Sequence, residues 1–305
     1  MKIPALILVP FLSTLALAEE TDTTNLPPDP FSNLEEIEKA PDYKVEVDRT
    51  RGSFVLEAKD GQYQAGSHFA NWLWTMNTNR WGNYYVGLLY ESSRPKLGIQ
   101  VRVGSESVLK GYAPRTNALK ASKPMVIGTA YIPKPGEYPV AMLTGDQSNV
   151  PAFQVKGVHF QPAPENEPLG QSIDGTILLE AKTATTYSEN MRYEPQEKKN
   201  CLGFWTSEKD WAEWIFDVNA PGTFEISLFY GCGNGNEGSD ISVHVNDQSL
   251  EFTVEDTGGF QSWKEIKLGQ VNLGTAGENK IAIIPQNKKN KAVMDIQKIV
   301  LTPAS

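Results

Sequence analysis

The sequence predicts an all-β chain built as two tandem antiparallel sandwiches, and three observations carry that reading. The chain repeats itself: residues 127–143 lie without gaps over residues 268–284, so that Gly128 falls on Gly269 and Ala141 on Ala282, both 141 positions apart. The same offset carries Gln154 onto Asp295, Val155 onto Ile296 and Val158 onto Ile299. Upstream, Leu56-Glu57-Ala58-Lys59 recurs as Leu179-Glu180-Ala181-Lys182, and residues 82–90 lie over 222–230 at an offset of 140 that also aligns Trp74 with Trp214. Second, Ile99–Val103, Phe224–Leu228 and Ile241–Asn246 alternate apolar and polar residues with period two, the pattern of a strand with one buried face. Third, Gly and Pro clusters such as Ala220-Pro221-Gly222 punctuate these runs at sandwich spacing, and no long stretch in either copy has helical periodicity.

Taken along the chain, the elements follow in order. Met1 and Lys2, an apolar run from Ile3 to Leu17 and the small-x-small end Ala16-Leu17-Ala18 read as a secretory signal peptide over residues 1–18. That address is periplasmic or extracellular. Residues 19–43 form a flexible leader in which Ser32-Asn33-Leu34-Glu35 has capping-box spacing for a short helix up to Lys39. The first copy is placed at 44–162 and the second at 173–303. Between them, residues 163–172 form the linker, with Pro162–Pro168 as a stiff, polar stretch.

A 305-residue chain with 40% hydrophobic and 21% charged residues has enough apolar side chains for two packed cores. The net charge of -9 opposes nucleic acid and acidic membrane faces alike, and neutral partners fit better. No later run approaches the roughly 18 apolar residues that a membrane span requires.

Catalytic constellations are missing from the sequence. The three histidines are scattered: His159 and His244 fall on the polar phase of their strands and His68 in an aromatic loop. There is no nucleophile elbow, P-loop, dinucleotide fingerprint or HExxH. Glu57 and Glu180 belong to a repeated strand, which marks architecture rather than a unique acid/base pair. The glycine-rich loop at 231–236 follows a strand without opening a helix and reads as a mobile turn. Cys201 and Cys232 are the only intrachain pair that export would allow to oxidise, and their spacing leaves a bridge and two buried thiols both open. No enzyme is expected, and no cofactor.

Glu180-Ala181, Asp210-Trp211-Ala212-Glu213-Trp214, Ala220–Phe224, Gly258-Gly259-Phe260-Gln261-Ser262-Trp263 and Met294-Asp295-Ile296 resemble carbohydrate-binding modules of families 6 and 35. Leu202–Thr206, Gly231-Cys232-Gly233 and Ala292–Asp295 resemble the accessory module that ends many secreted bacterial sulfatases and α-L-fucosidases. The resemblance implies a galactose-binding-like jelly roll and a loop-edge cleft that stacks a sugar between aromatics. In the second copy it points to Phe260 and, as the opposing wall, Trp205. Val293 stands where those modules carry an Asn, with Asn287 and Asn290 as substitutes. In the first copy, Trp72 and Trp81 beside Asn71, Asn79 and Arg80 suit saccharide recognition, or seal the sandwich edge or the interface between the copies. The resemblance also implies a structural calcium held by Glu180 and Asp295, although Lys182 stands at the motif's second Glu and a Lys182–Asp295 ion pair is the alternative. The expected partner is a polysaccharide or glycan bound without catalysis. The rival is a structural or protein-interaction module accompanying a secreted hydrolase.

Overall fold

A computed structural model describes residues 43, 45–65, 70–93, 96–116, 124–144 and 153–304. The expected signal peptide, the capping box at Ser32–Glu35 and His68 lie outside these residues. Nine strands make the first unit: β1 (Phe54–Glu57), β2 (Gln62–Ala65), β3 (Ala70–Thr78), β4 (Gly82–Ser92), β5 (Lys96–Val103), β6 (Ser107–Pro114), β7 (Met125–Ile132), β8 (Gly136–Thr144) and β9 (Phe153–Pro162). They form two antiparallel sheets, β1-β9-β4-β7 and β2-β3-β8-β5-β6. That is jelly-roll order, which brings strands distant in sequence side by side.

Eleven strands make the second unit: β10 (Ile177–Glu180), β11 (Thr185–Tyr187), β12 (Arg192–Glu194), β13 (Cys201–Gly203), β14 (Trp211–Val218), β15 (Gly222–Cys232), β16 (Asp240–Val245), β17 (Gln248–Thr253), β18 (Gly259–Leu273), β19 (Gly277–Pro285) and β20 (Asp295–Pro303). One sheet runs β12-β13-β20-β15-β18 with β10 also on β20, and the other runs β11-β14-β19-β16-β17. Strand for strand this is the order of the first unit, with the short hairpin β12–β13 added.

Local detail follows the same correspondence. β4 shifts register between Val86 and Gly87 and between Leu89 and Tyr90, and β15 does so between Ile226 and Ser227 and between Phe229 and Tyr230. Trp74 Nε1 donates to the Glu57 carbonyl at 2.8 Å and Trp214 Nε1 to the Glu180 carbonyl at 2.9 Å. Each indole fills its core while the bond ties the first strand's end to the opposite sheet. Trp74→Phe and Trp214→Phe each remove this donor, although Thr183 Oγ1 still donates to the Glu180 carbonyl at 2.9 Å, and each lowers stability by about 0.5–1.5 kcal/mol in urea unfolding. A change below 0.3 kcal/mol would sink that account.

The linker is not a free tether. Glu165 accepts from the Asn83 backbone N–H at 2.9 Å, while the Glu165 and Asn166 amides donate to the Lys182 carbonyl at 2.9 and 3.1 Å. At the junction, buried Arg80 of the first unit donates to the Met191 carbonyl and to Thr186 Oγ1 of the second.

Two strands of the second unit depart from the alternation expected of them. β16 is buried at every position after Asp240, and in β14 Trp211 and Glu213 are buried on what should be the solvent face. Tyr43 and residues 45–53, which precede β1, lie across this face. Tyr43, Tyr187, Trp211 and Ala282 pack into a separate small cluster with Val45, Val47 and Ile284 against it. His244, read from sequence as a surface residue, is therefore buried, with Nε2 2.9 Å from Ser242 Oγ and its ring tilted against Tyr43.

Candidate functional site

A cleft of about 270 Å³ opens at the loop edge of the second unit, between the β12–β13 hairpin and the start of β18. Phe204 and Phe260 supply its aromatic faces, and Glu194, Asp295, Lys199 and Gln261 its polar groups. Three rigid strands set the floor. Glu194 and Cys201 are direct cross-strand partners on β12 and β13, and Asp295 begins β20 opposite Gly231. Gly203 leaves space for the acid: a Cβ there would come within 2.4 Å of Glu194 Oε2.

The Phe260 wall is held by glycines. A Cβ on Gly231 would sit 2.2 Å from the Phe260 carbonyl oxygen, and one on Gly233 would sit 2.9 Å from the Phe260 ring. Thr257 closes the arrangement by accepting from the Cys232 amide at 2.9 Å. The glycine-rich loop read from sequence as a mobile turn is thus a packing surface, glycine being required where another backbone approaches closely. Asn236 continues it by accepting from the Ala292 amide at 3.1 Å, which fixes the far rim.

On the opposite wall, Phe204 has φ 60°, a left-handed conformation uncommon for a bulky residue. Strain of this kind costs of order 1–3 kcal/mol and collects at functional sites. Here it turns the ring outward, so that Phe204 is exposed while its neighbours Gly203 and Trp205 are buried. The Arg192 guanidinium carbon lies 3.4 Å from the Trp81 ring centroid and 3.6 Å from that of Phe204, and the two rings meet edge to face. Burial, then the charge of Arg80, pushes the Arg192 pKa down to about 10. This stack joins the wall of the cleft to the first unit.

Electrostatics inside the cleft are dominated by two buried carboxyl groups and one ammonium. Lys199 Nζ lies 2.7 Å from Glu194 Oε1. Asp295 accepts from Gln261 Nε2 at 3.1 Å and from the Cys201 thiol at 3.7 Å. Burial, and secondarily the Glu194 charge, pushes the Asp295 carboxyl up to about 7. Burial also raises the Cys201 thiol, with the Asp295 charge adding to it. Both cysteines are free and buried. The open alternative therefore resolves to two thiols, with Cys201 bonded into the cleft floor and Cys232 pushed up to about 11 chiefly by burial.

Several residues read from sequence stand elsewhere. Trp205 lines the inner end of the cleft but is 1% exposed, its Nε1 bonded to the Asp210 carbonyl, so the outward aromatic on that wall is its neighbour Phe204. Asn287 bonds Asp240, and Asn290 donates to the Glu237 carbonyl; neither lines the cleft. Val293 is core, its amide donating to the Trp205 carbonyl. Trp72 lies in β3 and belongs to the first core. Trp81 meets the cleft wall directly, its ring edge to face with Phe204 at 5.2 Å, and through Arg192. Trp263 is half-buried.

The calcium pair does not assemble. Glu180 registers with Lys298, three residues along β20 from Asp295. Lys182 turns back to Glu180 at 2.8 Å rather than reaching Asp295, and Lys59 pairs with Glu57 likewise. Asp295 instead meets Glu194 and Cys201, whose donor atoms with its own lie within 4.8 Å of one another. One thiol and two carboxylates fall short of the roughly six to eight oxygens calcium takes. Glu194, Lys199, Phe204 and Gln261 were not singled out from the sequence. Phe204 and Gln261 carried a signal, through their places beside Trp205 in the Leu202–Thr206 motif and beside Phe260 in the Gly258–Trp263 motif.

A family model described as a domain of unknown function (DUF5077) matches residues 184–305. The second unit is similar to that family. No curated protein matches the chain. Among solved structures it is similar to a GH26-CBM35 β-(1,4)-mannanase from Podospora anserina, at 21% identity over 43% of this chain and 28% of that one with a TM-score of 0.31. It is also similar to a family 35 carbohydrate-binding module from Clostridium thermocellum (16% identity, 41% of this chain, 97% of that one, TM-score 0.33). A CBM35 from Cellvibrio japonicus gives 14% identity, 43%, 94% and 0.33 in the same order. The chain spans less than a third of the mannanase.

Proposed function

We propose that this chain is an exported, non-catalytic saccharide-binding protein, formed by duplication of one jelly roll, whose working site is the cleft of the second unit. The observation that carries the proposal is the strained, outward Phe204 facing Phe260 across a floor of hydrogen-bonding groups. A pyranose offers apolar C–H faces to such rings, and its hydroxyls find Gln261, Asp295, Glu194 and Lys199, a mix of donors and acceptors suited to neutral polyols. Lys199 pairs with Glu194, and Gln261 and the Cys201 thiol donate to Asp295, which holds both carboxyl groups in place as the hydrogen-bonding floor of the site.

Affinity electrophoresis through gels containing plant and algal polysaccharides tests this reading. The parent chain is retarded on at least one of them. Phe204→Ala and Phe260→Ala each weaken retention about tenfold, the loss of one stacked aromatic. Retention on none of the polysaccharides, or unchanged retention in both variants, removes the proposal.

A further inference from the structure

Residues 43–53 bind the second unit as a ligand would. Glu213 is almost fully buried, and among the described residues its carboxylate bonds to Tyr43 and Arg49 of this segment and to Tyr187. Arg49 grips it as a fork, with Nη1 2.8 Å from Oε1 and Nη2 3.0 Å from Oε2, and Tyr43 Oη donates to Oε2 at 2.5 Å. The Arg49 guanidinium also lies over the stacked pair Tyr187–Trp211, 5.5 and 5.2 Å from their centroids. Beyond Glu213, the small Ala282 separates it from His244 in the lateral row of the sheet, and Tyr43 fills that depression.

Two parallel donors on a carboxylate above an aromatic plate are what a vicinal diol on a sugar ring presents. The occupant is also removable. Tyr43 and residues 45–53 form no strand; besides Tyr43 and Arg49 they are held by the Trp211 Nε1 bond to the Asp48 carbonyl at 3.1 Å and by Arg51, 2.8 Å from both Asp210 Oδ1 and Glu189 Oε1, so departure breaks side-chain bonds and no ladder. Nor does the fold demand this seat. In the first unit, Leu73 and Arg102 flank Ala141 where Glu213 and His244 flank Ala282.

We propose that the outer face of β11-β14-β19-β16-β17 is a second saccharide seat, reading a vicinal diol with Glu213 over Trp211 and Tyr187, and that residues 43–53 hold it closed in cis. It extends the saccharide-binding reading of the cleft to a separate surface, and the two fail separately.

The test uses the full mature chain and affinity electrophoresis on galactomannan and xylan. Gly52→Ala pries the segment off without touching the seat, because a Cβ at Gly52 would lie 1.8 Å from the Ser188 carbonyl oxygen. Tyr43→Ala with Arg49→Ala and Arg51→Ala removes its side-chain anchors, Arg51 being paired with buried Asp210 and with Glu189. Release is read from red-shifted tryptophan emission and hydrogen exchange. At least one released variant is expected to bind a polysaccharide tenfold or more tightly than the parent. Glu213→Gln in that background abolishes the gain, Phe260→Ala leaves it intact, and added 43–53 peptide reverses it. Release with unchanged retention overturns the proposal, as does a gain that disappears with Phe260→Ala. A peptide that binds the released variants while neither polysaccharide does also overturns it, making the face a peptide seat. Failure of both variants to release the segment, or of both to fold, shows that it is no removable occupant and equally ends the proposal.

Discussion

Asp295→Asn is expected to stabilise the chain at neutral and alkaline pH, and to do so progressively less as pH falls. Burial raises the Asp295 carboxyl to about 7 in the folded state, against 3.8 as its ordinary value. A raised pKa means that the fold holds the proton more tightly than the unfolded chain does. The stability from that proton is fully present below the unfolded value and is lost as pH rises through about 7. Asparagine keeps a neutral side chain at every pH. Its oxygen still accepts from Gln261 and Cys201, and its amide replaces a like charge beside Glu194. The advantage of the variant therefore grows between pH 5 and pH 8, by about 2–3 kcal/mol at one pKa unit per 1.4 kcal/mol. Urea unfolding of parent and variant across that range checks it. A stability difference that does not change with pH would show that Asp295 titrates normally.

Gly231→Ala is expected to be the most damaging single methyl in the second unit. The added carbon meets the Phe260 carbonyl oxygen, which is backbone and cannot swing away as a side-chain end would. The β15–β18 register must open at the point where Cys232 faces Gly259. Overpacking of this kind costs roughly 1–3 kcal/mol and more where backbone is displaced. The variant should lose about 3 kcal/mol in denaturant unfolding and, because the Phe260 wall moves, its retention on polysaccharide. Gly235→Ala is the matched control. It carries positive φ in the same loop, but its Cβ would point into open space, so only the left-handed penalty of about 1 kcal/mol applies. Equal losses at the two positions would mean that the close approach at Gly231 has no special weight.

How much of this was legible in sequence depends on the range of the interaction. The sandwiches were readable because a strand's burial has period two. The segments aligned at offsets of 140 and 141 fall on equivalent strands, β4 with β15 and β8 with β19. The side of each strand facing solvent was not readable where another part of the chain covers it. His244 sits on a polar phase that Tyr43 covers, and nothing within ten residues of it announces that cover; Trp211 is buried as its aromatic character suggests, but under this segment rather than inside the sandwich. The same limit applies to the cleft. Phe260 is local to its motif, whereas Glu194 and Lys199 enter through a hairpin that the repeat lacks. Trp205 and Phe204 differ only by one left-handed residue, a detail that aromatic identity does not encode. Asn287 looked like a sugar ligand by position alone, and its amide is spent on Asp240.

The covering segment also sets an order of assembly. Tyr43 and Glu213 are 170 positions apart, and the seat between them exists only once β11, β14, β19 and β16 are paired. Contacts of such long range form late, because their loop-closure entropy must be met before they stabilise anything. The earliest-made residues of the described chain are therefore the last to settle. Until they do, Glu213 and the Tyr187–Trp211 stack face water, and every newly made molecule passes through a state with that surface bare.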